Sequence, residues 1–75
     1  MSSISIKSEI AGTVWKIEAK PGDALEADDI LLILESMKME IPVAAPRAGI
    51  VKTIAVAEGE QVAEGQPLAV LESGN

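Results

Sequence analysis

A single lysine near the middle of the chain is a candidate for nucleophilic chemistry. The segment ESMKME, residues 35–40, places Lys38 between Met37 and Met39, with a glutamate at either end. A primary amine on a four-carbon stem is a compact nucleophile that suits covalent attachment. Such a lysine must protrude, must differ in context from other lysines and must sit on a rigid support. A lysine in a loop is more often simply solvated, so these residues alone leave both interpretations open.

The composition excludes most other kinds of active site. The 75 residues contain no cysteine and no histidine, which removes thiolate chemistry, the commonest general base and the commonest metal ligand. We therefore predict no catalytic residue and no metal site. An enzyme that relies on carboxylates such as Asp28 and Asp29 is the least favoured class, because acids in such a turn commonly cap or solvate it.

The charge and hydropathy of the chain limit which partners and which cellular location are expected. The formal net charge of −6 argues against nucleic acids and anionic membranes as partners. The N-terminus does not resemble a signal peptide, and no apolar run approaches the roughly 20 residues of a membrane span. We therefore expect a cytoplasmic protein that is a monomer when free.

The chain contains two copies of one unit, offset by 37 residues. AGTVWKI (residues 11–17) aligns without a gap on AGIVKTI (residues 48–54), and ILLILES (residues 30–36) aligns on PLAVLES (residues 67–73). The copies, residues 1–37 and 38–74, fill the chain, so we predict that residues 1–75 form one domain in which neither half folds alone.

Each copy has the pattern of short β-strands. ISI and IPV, GTVWKI and GIVKTI, and ILLILE and PLAVLE are apolar or β-branched and are bounded by Gly, Pro or Asp. Glycines and prolines leave few windows for a helix, although EADDI could form one turn. Gly22 and Gly59 occupy matched places and predict turns with positive φ. The sequence thus predicts an all-β sandwich or flattened barrel.

The repeat also predicts which side chains face inward. Apolarity is kept at six matched pairs, which we predict to form the core: Val14, Ile17, Leu25, Leu31, Ile33 and Leu34, with Val51, Ile54, Val62, Leu68, Val70 and Leu71. Trp15, the only aromatic residue, matches Lys52. That match predicts a partly exposed tryptophan, which is more often a packing residue than a binding platform.

The lysine lies where the two copies join. LLILES before it and MEIPVAA after it both read as strands, so Met37 and Lys38 are predicted at the tip of a hairpin. The second copy has Gly74 and Asn75 at these places, and both suit a tight turn with positive φ. Met and Lys would cost local stability there. A function would explain why they are kept, and the alternative is a solvated lysine beside methionines that simply pack.

With its surroundings, ESMKMEIPV resembles the biotin attachment motif of biotin carboxyl carrier proteins and single-domain biotin/lipoyl attachment proteins. The resemblance extends through ILLIL before the motif to AAPRAGIV and EGEQVAEGQPLAVLES after it. It implies that Lys38 receives biotin and that Met37 and Met39 are read by biotin protein ligase. It implies a less specific recognition role for Glu35, Ser36 and Glu40.

The resemblance also implies a fold and a mechanism. The fold would be a flattened barrel-sandwich hybrid of two quasi-twofold-related four-stranded halves, with the lysine on a hairpin tip. The ungapped repeat predicts no thumb insertion. The protein would be a non-catalytic carrier that moves carboxybiotin from a biotin carboxylase to a carboxyltransferase. Lipoate is the alternative cofactor, either instead of biotin or in a protein that accepts both, although Met37 and Met39 favour biotin. An unmodified interaction module is the alternative of another class.

Overall fold

Eight β-strands make up the regular structure of residues 2–73, the part of the chain that this computed structural model describes. They are β1 (Ser2–Lys7), β2 (Gly12–Ile17), β3 (Ala24–Leu25), β4 (Ile30–Ser36), β5 (Met39–Ala44), β6 (Gly49–Ile54), β7 (Gln61–Val62) and β8 (Pro67–Ser73). Strands β1–β4 come from the first copy of the repeat and β5–β8 from the second. The prediction that residues 26–30, EADDI, could form a helical turn was wrong, because Glu26–Asp29 form a β-turn before β4 begins.

The strands form two four-stranded antiparallel sheets. Their orders are β5-β4-β2-β7, which we call the hairpin sheet, and β1-β8-β6-β3, which we call the opposite sheet. Replacing each strand by its counterpart in the other copy converts one order into the other. The predicted barrel-sandwich of two quasi-twofold-related halves is therefore confirmed. Each strand of the described residues has a counterpart, as expected without a thumb.

Four turns of one kind connect strands at matched places. They span Lys20–Asp23, Glu26–Asp29, Ala57–Glu60 and Ala63–Gln66, and in each the last N–H donates to the first carbonyl. The last side chain accepts a hydrogen bond from the first N–H in return. The third residue has φ between 74° and 96° in all four, as a type II turn requires. The positive φ predicted for the turn glycines at 22 and 59 is thus confirmed.

The core lies between the sheets and follows the repeat. Its most deeply buried side chains are Val14, Val51, Leu31, Leu32, Leu34, Leu68 and Leu71. Of the predicted core, Ile17, Leu25, Ile33, Ile54 and Val70 are only half-buried. The prediction omitted Leu32 and its counterpart Ala69, which are buried as well, and it also omitted the buried residues Ile6, Ala19, Ala45 and Val56.

The burial of Leu32 and Ala69 follows from β-bulges. The β4–β5 pairing skips Leu31 and the β8–β1 pairing skips Leu68, so two consecutive side chains face inward at each place. Simple alternation cannot predict this. Strand β2 also has a bulge, at Trp15. Trp15 is 48% exposed, as its alignment with Lys52 in the repeat predicted.

Candidate functional site

The hairpin between β4 and β5 ends in a two-residue turn formed by Met37 and Lys38. Ser36 and Met39 are the last paired residues, and φ is +52° at Met37 and +66° at Lys38. Two successive residues with positive φ define a type I′ turn, which normally selects Asn-Gly or Gly-Gly. Each non-glycine residue in this region costs roughly 1–2 kcal/mol. The predicted hairpin tip and its unfavourable residues are therefore observed; the comparison with Gly74 and Asn75 lies outside the described residues.

The side chains at the tip project into solvent. Met37 is 92% exposed and Met39 is 62% exposed, and Lys38 between them is also exposed. Burying a methionine side chain fully would contribute about 1.5–3 kcal/mol, so this sequence leaves two large apolar groups beside an amine without using them to stabilise the fold. They are available for contact with another molecule.

The base of the hairpin is held rigidly by the core. Leu32 and Leu34 of β4 are almost completely buried, which anchors one arm of the hairpin below the turn. The first residue of β2, Gly12, lies so close to the same arm that a Cβ there would be 2.7 Å from the carbonyl oxygen of Glu35 and 3.4 Å from the Cβ of Ser36. Only glycine permits this contact without a shift of the backbone.

This supporting role of Gly12 was missed from the sequence. Its counterpart Gly49 makes the same approach to Glu72, where a Cβ would be 2.6 Å from the carbonyl oxygen. One signal was available in the sequence: both copies of the repeat have a glycine at this position, Gly12 in the first and Gly49 in the second.

The remaining residues of the predicted motif also lie in the hairpin. Glu35 and Glu40 are directly opposite each other on β4 and β5, and both are exposed. Ser36 is half-buried. Like charges directly opposite on neighbouring strands destabilise a sheet, so the hairpin carries a second local cost in addition to the strained turn.

The rest of the described chain offers little competing chemistry. Across residues 2–73, Lys16 and Glu18 form an ion pair of 4.0 Å, and Lys38 forms none. That part of the chain holds no group of three or more acids that could bind a metal ion. It also has no helix with the length and apolarity needed to cross a membrane. The carboxylate of Asp29 accepts a hydrogen bond from the N–H of Glu26, so this acid closes a turn.

The sequence matches known proteins along almost its whole length. Residues 2–71 match the Biotin_lipoyl family model, described as "Biotin-requiring enzyme". The chain is 46% identical over 68 residues to a biotin/lipoyl attachment protein of Bacillus subtilis, covering 91% of this chain and 93% of the relative. It is 41% identical over 66 residues to a biotinylated protein TB7.3 homolog of Mycobacterium leprae, covering 88% and 93% respectively.

Solved structures agree with these matches. A single-chain, multi-domain long-chain acyl-CoA carboxylase contains a segment that superposes with a TM-score of 0.91 and 33% identity. The match covers 97% of this chain and 7% of that one. The lipoyl domain of the 2-oxoglutarate dehydrogenase complex from Azotobacter vinelandii superposes with a TM-score of 0.76 and 32% identity, covering 87% and 82%.

Proposed function

The chain belongs to the family of biotin- and lipoyl-attachment domains, and we propose that it is a biotin carboxyl carrier modified on Lys38. The observation that carries this proposal is the hairpin turn. Met37 and Lys38 both have a positive φ. Among residues 2–73, Met37 and Met39 are the most exposed large apolar side chains, and the amine of Lys38 stands between them. Selection for folding alone would not favour this combination.

The fit of the site to a covalent cofactor rests on the amine itself. Lys38 is exposed, it has no ion-pair partner among residues 2–73, and its turn is the outermost point of a hairpin whose base is buried. Its Nζ can therefore enter the active site of another protein without unfolding the domain. Met37 and Met39 flank the amine on both sides and give a ligase two apolar contacts that distinguish Lys38 from the other lysines.

The attachment step follows from this geometry. A biotin protein ligase would present biotin as an acyl adenylate, and the deprotonated Lys38 amine would attack its carbonyl carbon. An amide bond forms, AMP leaves with the bonding electron pair, and the proton from nitrogen is released. Biotin bound in this way supplies a ureido nitrogen that can accept and release a carboxyl group.

The domain itself would act by positioning. The buried β4 leucines and the Gly12 contact hold the hairpin, so that the tip moves with the domain as a body. Tethering raises the effective concentration of the cofactor at each partner site. The partners we propose are a biotin carboxylase and a carboxyltransferase, supported by the similar segment of a multi-domain acyl-CoA carboxylase. Catalysis would belong to those partners.

Lipoate is the alternative cofactor. A lipoyl domain shares the fold at 32% identity, and the Bacillus relative carries both cofactors in its name. The residues beside Lys38 favour biotin, because a lipoylated lysine is usually preceded by Asp and followed by Ala, and here both neighbours are methionine.

The test is intact mass spectrometry after co-expression with an active biotin protein ligase. We expect one added biotinyl group in the wild type, its loss in Lys38→Arg and its retention in Lys52→Arg, which alters an exposed lysine on the opposite sheet. A parallel incubation with lipoate ligase distinguishes the cofactors. If the ligase modifies a reference carrier but leaves the wild-type protein unmodified, the proposal is refuted. If the protein gains a lipoyl group and no biotinyl group, the cofactor in the proposal must change from biotin to lipoate.

A further inference from the structure

The two sheets carry different side chains on their outer faces, although their strands correspond one to one. On the hairpin sheet, Ile33 pairs with Pro42 on one side and with Lys16 on the other. Trp15 lies at the bulge next to Lys16 and is 48% exposed. Leu32 and Leu34 face the core, so Ile33 between them faces outward. We call Trp15, Ile33 and Pro42 the apolar stripe.

The opposite sheet provides an internal control for this stripe. The counterparts of Trp15, Ile33 and Pro42 are Lys52, Val70 and Ser5, which lie on β6, β8 and β1. The fold therefore accepts a lysine and a serine at two of these three places. Packing does not require tryptophan and proline on the hairpin sheet. The opposite sheet does expose Ile50, but this residue pairs with Glu72 near the other end of the molecule.

The stripe is continuous with the attachment hairpin. The Glu35–Glu40 pair lies two residues closer to the tip than the Ile33–Pro42 pair. One further pair, Ser36–Met39, separates it from the turn. All these residues are on β4 and β5, the strands that carry Lys38. A protein that engages the tip from this side therefore meets the stripe next.

The length of the lysine arm determines which partner must come this close. Before modification, the reactive Nζ is at the end of a four-carbon stem, so the ligase must bring its active site to the hairpin itself. A specific interface involves about 20–30 residues on each side, many more than the six of ESMKME. After modification the arm is much longer, and enzymes that use the cofactor can reach it from further away. The ligase is thus the partner that must cover neighbouring surface.

We propose that the apolar stripe formed by Trp15, Ile33 and Pro42 is a docking surface for the biotin protein ligase that modifies Lys38. This inference rests on the proposed function. Trp15 is its centre, because large aromatic side chains with a polar N–H are the residues that most often dominate binding energy in interfaces. The methionines would place the amine, and the stripe would supply affinity.

The kinetic test exchanges residues between the two faces. Trp15→Lys introduces the residue that the fold already holds at the equivalent bulge, and Lys52→Trp is the matched control. With biotin ligase, ATP and biotin, we expect Trp15→Lys to raise KM for the carrier about tenfold, as the loss of an aromatic interface residue typically does, with kcat within about twofold of wild type. Lys52→Trp should leave both constants unchanged. Pro42→Ser introduces the residue that the opposite sheet holds at the equivalent position, Ser5, and should raise KM by a smaller factor.

A structural readout does not depend on turnover. The chain has one tryptophan, so a ¹⁵N-labelled Lys38→Arg protein gives one indole N–H resonance. On titration with unlabelled ligase, we expect this resonance and the Ile33 amide to shift or broaden together with the hairpin amides, while those of Thr53 and Val70 stay in place.

The outcomes separate the two proposals. Normal biotinylation of wild type with unchanged KM in both Trp15→Lys and Pro42→Ser would overturn the docking surface and leave the carrier function intact. An indole resonance that stays in place while the hairpin amides shift would overturn it equally. A wild-type chain that the ligase never modifies would overturn the carrier function, and the docking inference with it. If Trp15→Lys lowered the melting temperature strongly, Pro42→Ser and the titration would decide the question.

Discussion

Glu35 and Glu40 lie directly opposite each other on β4 and β5, one residue pair below the turn that contains Lys38. In the opposite sheet the equivalent pair is Glu72 with Ser3, so the fold does not need two acids at this place. Like charges facing each other across strands cost stability, and that cost falls as salt screens the pair.

Glu40→Ser should therefore stabilise the protein slightly. We expect the free energy of unfolding in urea to rise by roughly 0.2–0.5 kcal/mol at low salt and by less at high salt. Ser3→Glu, which creates the same facing pair with Glu72, is the matched control and should lower stability by a similar amount. A gain that is independent of salt would show that repulsion is not its cause.

The strained turn gives a larger prediction. Replacing Met37 and Lys38 by Asn and Gly supplies the residues that a type I′ turn prefers, and we expect about 1–2 kcal/mol of added stability. For a domain of this size that corresponds to a rise in melting temperature of about 4–8 °C per kcal/mol. The double variant should accept no cofactor. Met37→Asn alone should gain roughly half as much and remain modifiable, with a raised KM for the ligase. No thermal gain in either variant would mean that the turn is not strained.

The strands and the hairpin could be predicted because the repeat doubles the sequence evidence for each of them. A short apolar run such as ILLILE is ambiguous alone, but its match to PLAVLE, with turn residues at the same offsets, favours a strand in both places. The position of Lys38 at a hairpin tip followed from the two strands that flank it.

What the sequence could not predict depends on bulges and on tertiary contacts. Leu32 was omitted from the predicted core, although the bulge in β4 buries both Leu31 and Leu32; the repeat shows which positions stay apolar but does not show where a bulge turns two neighbours inward. The approach of Gly12 to Glu35 joins residues on different strands, so no local pattern marks it. The positive φ of Asp28 was hidden because aspartate is common in turns of every type.

Alanine at Gly12 should disturb the proposed attachment site, whereas alanine at Gly49 should disturb only the fold. A Cβ at either position would lie within 2.7 Å of a carbonyl oxygen on the neighbouring strand, so we expect each variant to lose about 1–3 kcal/mol of stability. Gly12 contacts β4 at Glu35, three residues before Lys38. Gly12→Ala should therefore also raise KM for ligase modification, measured on the folded fraction, while Gly49→Ala should not. Equal KM values for the two variants would show that hairpin position does not depend on Gly12.

Three of the four matched type II turns have glycine at their third position, and the fourth has Asp28. Replacing Asp28 by glycine should therefore increase stability. Its φ is +74°, and its counterpart Gly65 has φ +85°. The two turns make equivalent hydrogen bonds, from the Asp28 N–H to the Ala45 carbonyl and from the Gly65 N–H to the Ser8 carbonyl. Asp28→Gly removes the steric cost of a Cβ at positive φ, which for an aspartate is about 0.5–1 kcal/mol. We expect the urea midpoint to rise accordingly without a change in the m-value.

Gly65→Asp should lower stability by about the same amount, and Gly65→Ala by more, because alanine lacks the short polar side chain that eases this conformation. Since no atom lies within 4 Å of a Cβ built at Gly65, a loss there reports backbone strain rather than a clash. A destabilised Asp28→Gly would mean that the Asp28 carboxylate contributes more to the turn than its backbone strain costs.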